Sequence, residues 1–167
     1  MITLQGKKVK LRALEPEDLD FLFKIENNTK FWEVSSTQVP FSKYMLKKYL
    51  ENAHQDIYEA KQLRMVIEEI SNNKTVGLID IFDFNPKHKR AGIGIVISEP
   101  YQKEGFASDA LSLLIRYCFE ALDLHLLFAN ITQDNKKSIT LFTSNGFKKC
   151  GVKKDWLFIN GEYKNEL

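Results

Sequence analysis

The sequence predicts an α/β (α+β) fold: a mixed, mostly antiparallel sheet of six to seven strands with helices on both faces. Three observations carry this. Short apolar runs with strand patterning alternate with stretches whose apolar residues recur at steps of three and four. Three strand-like runs follow one another across polar turns, the mark of antiparallel neighbours. A long helical stretch then separates the run ending at Ile97 from the one starting near Leu126, which requires at least one parallel pair.

Taken in order, Val9–Ala13 reads as a strand. Glu15-Pro16-Glu17-Asp18 opens a helix, with proline in its first turn and acids at the positive end of its dipole. Leu19, Leu22, Phe23 and Ile25 form its apolar face. Ser42 caps a second helix carrying Met45, Leu46, Tyr49, Leu50 and Ala53 at helical spacing. The stretch between these helices, residues 29–41, reads as a loop. Residues 65–69 and 75–84 are strands around the turn Ser71-Asn72-Asn73-Lys74, and residues 91–97 supply a third. Ala107, Ala110, Leu111, Leu114, Cys118 and Leu122 mark an amphipathic helix packed on the sheet. Residues 126–131 read as a short strand. Residues 135–144 form a brief helix stopped by Asn145-Gly146, where glycine suits the left-handed position past a helix end. Residues 156–159 and the final residues form a hairpin turning at Asn160-Gly161.

The chain has 167 residues, 44% of them hydrophobic and 12% aromatic, enough for one compact core; a single domain over residues 1–167 is expected. Twenty-four basic residues against twenty-two acidic ones leave a net charge of +2, and the lysines are scattered rather than clustered. Nucleic acid is therefore not an expected partner. No apolar run approaches the ~20 residues that span a bilayer, and the first residues turn polar at once, so a cytoplasmic protein without a membrane partner is expected. Cys118 and Cys150 read as buried thiols rather than a disulfide. His54, His88 and His125 lack companions at ligand spacing, so no metal is expected. The sequence leaves assembly into a homo-oligomer open.

The chemistry concentrates after Ile97. Ser98-Glu99-Pro100-Tyr101 leads into Gln102-Lys103-Glu104-Gly105-Phe106-Ala107, where the long helix begins. A helix's first turn offers unpaired amides and a positive dipole end, and a glycine with a small residue lets phosphate oxygens come close to the backbone. By itself such a turn also suits an ordinary strand-to-helix loop. Gly92 and Gly94 lie inside a strand rather than opening a helix, so they do not form a dinucleotide-fold motif.

Gln102-x-x-Gly105-x-Ala107 before a helix, with Asn135-Lys136-Lys137-Ser138-Ile139 and Asn145-Gly146-Phe147 downstream, resembles the GCN5-related N-acetyltransferase (GNAT) superfamily. The likeness extends through Leu11-Arg12-Ala13-Leu14-Glu15, Val76-Gly77-Leu78-Ile79-Asp80 and Phe158-Ile159-Asn160-Gly161-Glu162-Tyr163. These stretches look most like the branch of spermidine and ribosomal-protein alanine N-acetyltransferases. The resemblance implies a single-domain GNAT fold whose parallel strand pair splays to hold acetyl-CoA. It implies that the pantetheine arm lies against Ile95, Val96 and Ile97, and the pyrophosphate on amides of Gln102, Lys103, Glu104, Gly105, Phe106, Ala107 and Ser108. Asn135 and Ser138 would border the pantetheine arm, and Asn135 also reads as a helix cap. Two positions depart from the family's pattern, which prefers glycine at 103 and a basic residue at 104.

The implied reaction is direct attack of a primary amine on the acetyl thioester in a ternary complex. An ammonium substrate must first lose a proton, to a carboxylate acting directly or through water. Asp80 and Asp83 are the candidate bases, although both also read as polar residues on a strand's solvent face. The family often places a glutamate where this chain has Gly92, and a tyrosine that protonates the departing thiolate where it has Phe142. Phe142 would line the cofactor site without donating a proton. A catalytically weak acetyl-CoA-binding module is the alternative reading. Trp32, Glu33, Phe41 and Phe82, with Phe31, are candidates for the acceptor cleft, and Glu51 and Asp56 add charge nearby. The aromatics suit a peptide amino terminus or a bulkier amine, and a small amine or peptide amino terminus ranks ahead of a polyamine because the loop's Ser36-Thr37-Gln38-Val39-Pro40-Phe41 is poor in acids.

Overall fold

The computed structural model describes residues 1–167. In chain order it contains β1 (Val9–Ala13), a 3-10 turn Pro16–Asp18, α1 (Leu19–Glu26), a 3-10 turn Thr29–Phe31, α2 (Trp32–Ser35), α3 (Lys43–Glu51) and α4 (Ile57–Ala60). There follow β2 (Leu63–Glu69), β3 (Thr75–Asn85), β4 (Arg90–Ile97), a 3-10 turn Glu99–Tyr101, α5 (Phe106–Glu120), β5 (Leu126–Phe128), α6 (Lys136–Ser144), β6 (Lys153–Ile159) and β7 (Glu162–Glu166).

Because strand side chains alternate between faces, the central strands sort into two apolar layers. Met65, Ile67, Ile79, Ile81, Ile93 and Ile97 face α5 and meet its Ala110, Leu111, Leu114 and Cys118. Val66, Leu78 and Val96 face the other way, against Leu22 and Ile25 of α1 and Leu46 of α3. The sheet order is β1-β2-β3-β4-β5, antiparallel throughout except for the parallel β4–β5 pair.

The seven strands divide differently from the single sheet expected. Five form the main sheet, and β6 and β7 form a separate two-stranded sheet. The reason is visible at β5, which ends at Phe128 rather than Ile131. Residues 131–133 leave it to pair with 165–167 instead, through Ile131 N–H to Leu167 O at 3.2 Å, Leu167 N–H to Ile131 O at 2.7 Å and Gln133 N–H to Asn165 O at 2.9 Å. Residues 29–41 are also more ordered than a loop, because Asn28 caps the 3-10 turn and α2 follows directly. Cys118 is buried, where desolvation pushes its thiol up to about 12, while Cys150 lies outside the strands and is exposed.

Polar anchors fix the helices on this sheet. Arg12 on β1 grips the buried Asp18 with both terminal nitrogens at 2.9 Å and reaches Glu68 on β2 at 2.5 Å. Burial pushes the Asp18 carboxyl up, but Arg12 and the Glu15 N–H outweigh it and hold the group below the usual carboxylate range. At the other end, Asp109 in the first turn of α5 accepts from Lys8 N–H at 2.7 Å and Val9 N–H at 3.0 Å. The start of α5 is thereby held to the start of β1. No helix is long and apolar enough to cross a membrane, and no cluster of His, Cys, Asp and Glu has the makings of a metal site.

Candidate active site

The parallel pair is short. β5 meets β4 only at Arg90↔Leu126, Ala91↔Leu127 and Gly92↔Phe128, and β4 then runs on to Ile97 with no partner on that side. A wedge opens between them. Its cavity of about 60 Å³ is lined by Ile93, Gly94 and Ile95 on one side and Ala129, Asn130, Ile131 and Thr132 on the other. Asn135, Ser138 and Phe142 of the α6 region close one end, and Glu33, Val34, Ser36, Leu157 and Glu166 border the rest. The Asn135 side chain accepts from Ser138 N–H at 3.2 Å, so it caps α6 while bordering the wedge.

At the far end of β4, the Gln102 side-chain amide donates to Ile97 O at 3.0 Å and folds the chain back after the strand. Lys103 has φ +66 and Gly105 has φ +81, and Gly105 is the N-cap of α5. Two left-handed residues so close together make a tight turn into α5. Phe106 is buried beneath as an anchor, Ala107 is half-buried, and Ser108 accepts from the Asn145 amide at 3.2 Å, joining the ends of α5 and α6. Lys103 explains the family's glycine: its conformation disfavours any side chain with a Cβ. Lys103→Gly is expected to stabilise the fold by about 0.5 kcal/mol, the left-handed strain relieved less the entropy of a freer unfolded chain, as read from denaturant melts.

Glu104 is exposed, so its carboxylate turns to solvent. Its carbonyl accepts from Lys8 Nζ at 2.6 Å, which places an ammonium beside the turn in spite of the acid at 104.

The two candidate bases separate. Asp80 lies in a row across three strands, Arg64↔Asp80↔Gly94, on the face that carries α1 and α3. Arg64 binds both of its oxygens, Nε to Oδ1 at 2.7 Å and Nη2 to Oδ2 at 3.0 Å, and gives its remaining nitrogen to Glu26. Burial opposes the guanidinium's charge, yet Asp80 and Glu26 overcome it and raise the Arg64 pKa above its ordinary value. Asp80 thus stands next to the wedge with both oxygens held by Arg64. Asp83 does not belong to the wedge at all. It has φ +47 in the bulge where β3 and β4 slip register, is exposed, and borders a different hollow with Lys61, Asn85, His88 and Arg90. An odd step along the strand turns Asp83 from Asp80's face, and the bulge moves it further from the wedge.

Of the acceptor candidates, only Glu33 lines the wedge. Trp32 donates its indole N–H to Glu26 O at 2.9 Å, and Phe41 is held by Asn27 through both backbone groups at 2.8 and 3.0 Å. The Phe82 ring lies over Gly92 and edge-on to Phe128, with centroids 5.7 Å apart, where β4 and β5 begin to part. A Cβ at position 92 would meet that ring at 2.3 Å. Phe82 thus fills the volume of the absent glutamate. Gly92→Glu is expected to lose on the order of 1–3 kcal/mol by overpacking, and pairing it with Phe82→Ala to recover part of that loss in thermal melts.

Glu166 was not legible as a site residue, since only the pairing of 165–167 with 131–133 carries it to the wedge. Arg64 was missed likewise, standing at the start of β2 with no motif around it.

The family model described as an acetyltransferase (GNAT) domain matches residues 8–148. The spermidine N(1)-acetyltransferase of Escherichia coli K12 is 32% identical over 162 residues, 95% of this chain and 83% of that protein. The crystal structure of spermidine N-acetyltransferase from Vibrio cholerae in complex with CoA and spermine superposes with a TM-score of 0.86 at 27% identity, covering 95% of this chain and 91% of that one. A dodecameric structure of the Vibrio cholerae enzyme in an intermediate state superposes at 0.78 with 30% identity, covering 95% and 90%. The opening between β4 and β5 and the turn before α5 are the features that the resemblance assigns to acetyl-CoA. The chain belongs to the GNAT family of N-acetyltransferases, enzymes that take their acetyl group from acetyl-CoA.

Proposed function

We propose that this enzyme acetylates a primary amine of a polyamine, by direct attack in a ternary complex. The observation that carries the reading is the wedge itself: two carboxylates, Glu33 and Glu166, border a cavity that opens on β4. A polyamine keeps some nitrogens protonated while another reacts, and carboxylates bordering the cleft recognise the protonated ones. Two relatives whose names carry spermidine support the same substrate class, which moves ahead of the peptide amino terminus that the aromatic loop suggested.

In this reading Ile95, Val96 and Ile97 hold the pantetheine arm by backbone pairing, the amides of residues 102–108 hold the diphosphate, and Asn135, Ser138 and Phe142 wall the thioester. Asp80, pinned by Arg64, takes the amine's proton through water across the bare Gly94. Chain assembly into a homo-oligomer is part of the proposal, supported by the dodecameric relative.

Phe142 is 5% exposed, packs edge-on to Phe147 at 5.0 Å and lines the wedge. Phe142→Tyr is expected to raise kcat by about tenfold by offering a proton to the leaving thiolate, a modest gain because a thiolate departs readily unaided. Thiol release with spermidine, amino-terminal peptides and aminoglycosides tests the acceptor class. Turnover on spermidine is expected; coenzyme A binding with no acetylated product from any amine would instead favour the weak binding module.

A further inference from the structure

Glu33 and Glu166 do not face the wedge as free anions. Lys164 of β7 lies 2.9 Å from Glu33 Oε1 and 2.8 Å from Asp134 Oδ2, joining the acceptor wall to the segment before α6. Lys153 of β6 lies 2.7 Å from Glu166 and 3.2 Å from the Asn130 carboxamide oxygen. Lys164 and Lys153 thus bridge three carboxylates, with Lys136 also near Asp134. The Lys164 side chain keeps 22% of its surface exposed and rides on a hairpin outside the main sheet. Its strand pairs with β6 and, through residues 165–167, with residues 131–133.

A lysine ammonium on its four-carbon stem is chemically the end of a polyamine. Where a cleft recognises such an end by paired carboxylates, a lysine seated on those carboxylates occupies the same position. We propose that Lys164 is a tethered competitor for the acceptor's second ammonium, filling the subsite formed by Glu33 and Asp134 until a polyamine displaces it. A tethered group acts at the effective concentration of its linker, millimolar for short tethers, so it raises the apparent KM of a cationic acceptor without touching the reacting amine. Acceptors with one nitrogen do not reach the subsite and do not feel the competition. The inference rests on the polyamine reading above.

The test is steady-state thiol release by the full chain with spermidine and with a single-nitrogen primary amine, comparing the wild type with Lys164→Met, Lys164→Gln, Lys164→Arg and Glu33→Gln. Circular dichroism melts serve as the folding check. Lys164→Met or Lys164→Gln is expected to lower the spermidine KM by on the order of three- to tenfold relative to the single-amine KM. Lys164→Arg, which keeps the ion pairs, should stay near the wild type, and Glu33→Gln should raise the spermidine KM. Wild-type turnover of spermidine with an unchanged or higher KM in both neutral variants would overturn the inference while leaving the polyamine reading intact. Product from the neutral variants alone would uphold the inference. No spermidine product from any form would overturn both.

Discussion

Arg64→Ala should lower stability by about 3–5 kcal/mol, because it strands two carboxylates that were taken out of water on the strength of one guanidinium. Asp80 and Glu26 lose their shared partner, and their side chains are 26% and 15% exposed. Water cannot fully replace what is removed. For a chain of this length a change of that size is worth roughly 10 °C in melting temperature, read by calorimetry. The asymmetry of buried ion pairs gives a sharper form of the same test. Replacing all three groups together, as Glu26→Gln, Arg64→Met and Asp80→Leu, should cost far less stability than the single change, since no charge is then left unpaired. Activity should fall in both, because Asp80 stands across Gly94 from the wedge.

Gly105→Val should weaken acetyl-CoA binding by at least about tenfold, roughly 1.4 kcal/mol, in titration calorimetry. The backbone at Gly105 has φ +81, a region where a β-branched residue is strained, and a Cβ there would lie 3.0 Å from Lys8 Nζ. The ammonium can swing away, but the turn cannot keep its present course with valine at the cap of α5. Since Lys8 and Asp109 tie this turn to β1, the loss should include a drop of a few degrees in melting temperature. Unchanged affinity would mean that the diphosphate does not sit on residues 102–108.

Periodicity located most of the fold. Val9–Ala13 appears with the bounds read from its alternation, the hairpin of β2 and β3 turns where the polar run predicted, and α5 follows its three-and-four spacing. Gly146 takes φ +92 past the end of α6, as a helix-stopping glycine should. The wedge followed from family resemblance and from the need for one parallel pair. What was not legible depends on partners far apart in the chain. Lys164 meets Glu33 across 131 positions, Glu166 arrives through the pairing with 131–133, and Arg64 meets Asp80 only through strand register. The left-handed backbone of Lys103 was likewise invisible, because a lysine there carries no conformational signal of its own. Asp83 shows the opposite failure: sharing a strand with Asp80 suggests a place beside the cleft, but it stands an odd number of residues away and sits in a bulge at a different hollow.

The crystal structure of the protein with coenzyme A and spermidine tests the central claim most directly. The account predicts the diphosphate on the amides of residues 102–108, the pantetheine arm between β4 and residues 129–132, and a spermidine ammonium on Glu33 in place of Lys164. A cofactor lying outside the opening between β4 and β5 would contradict it.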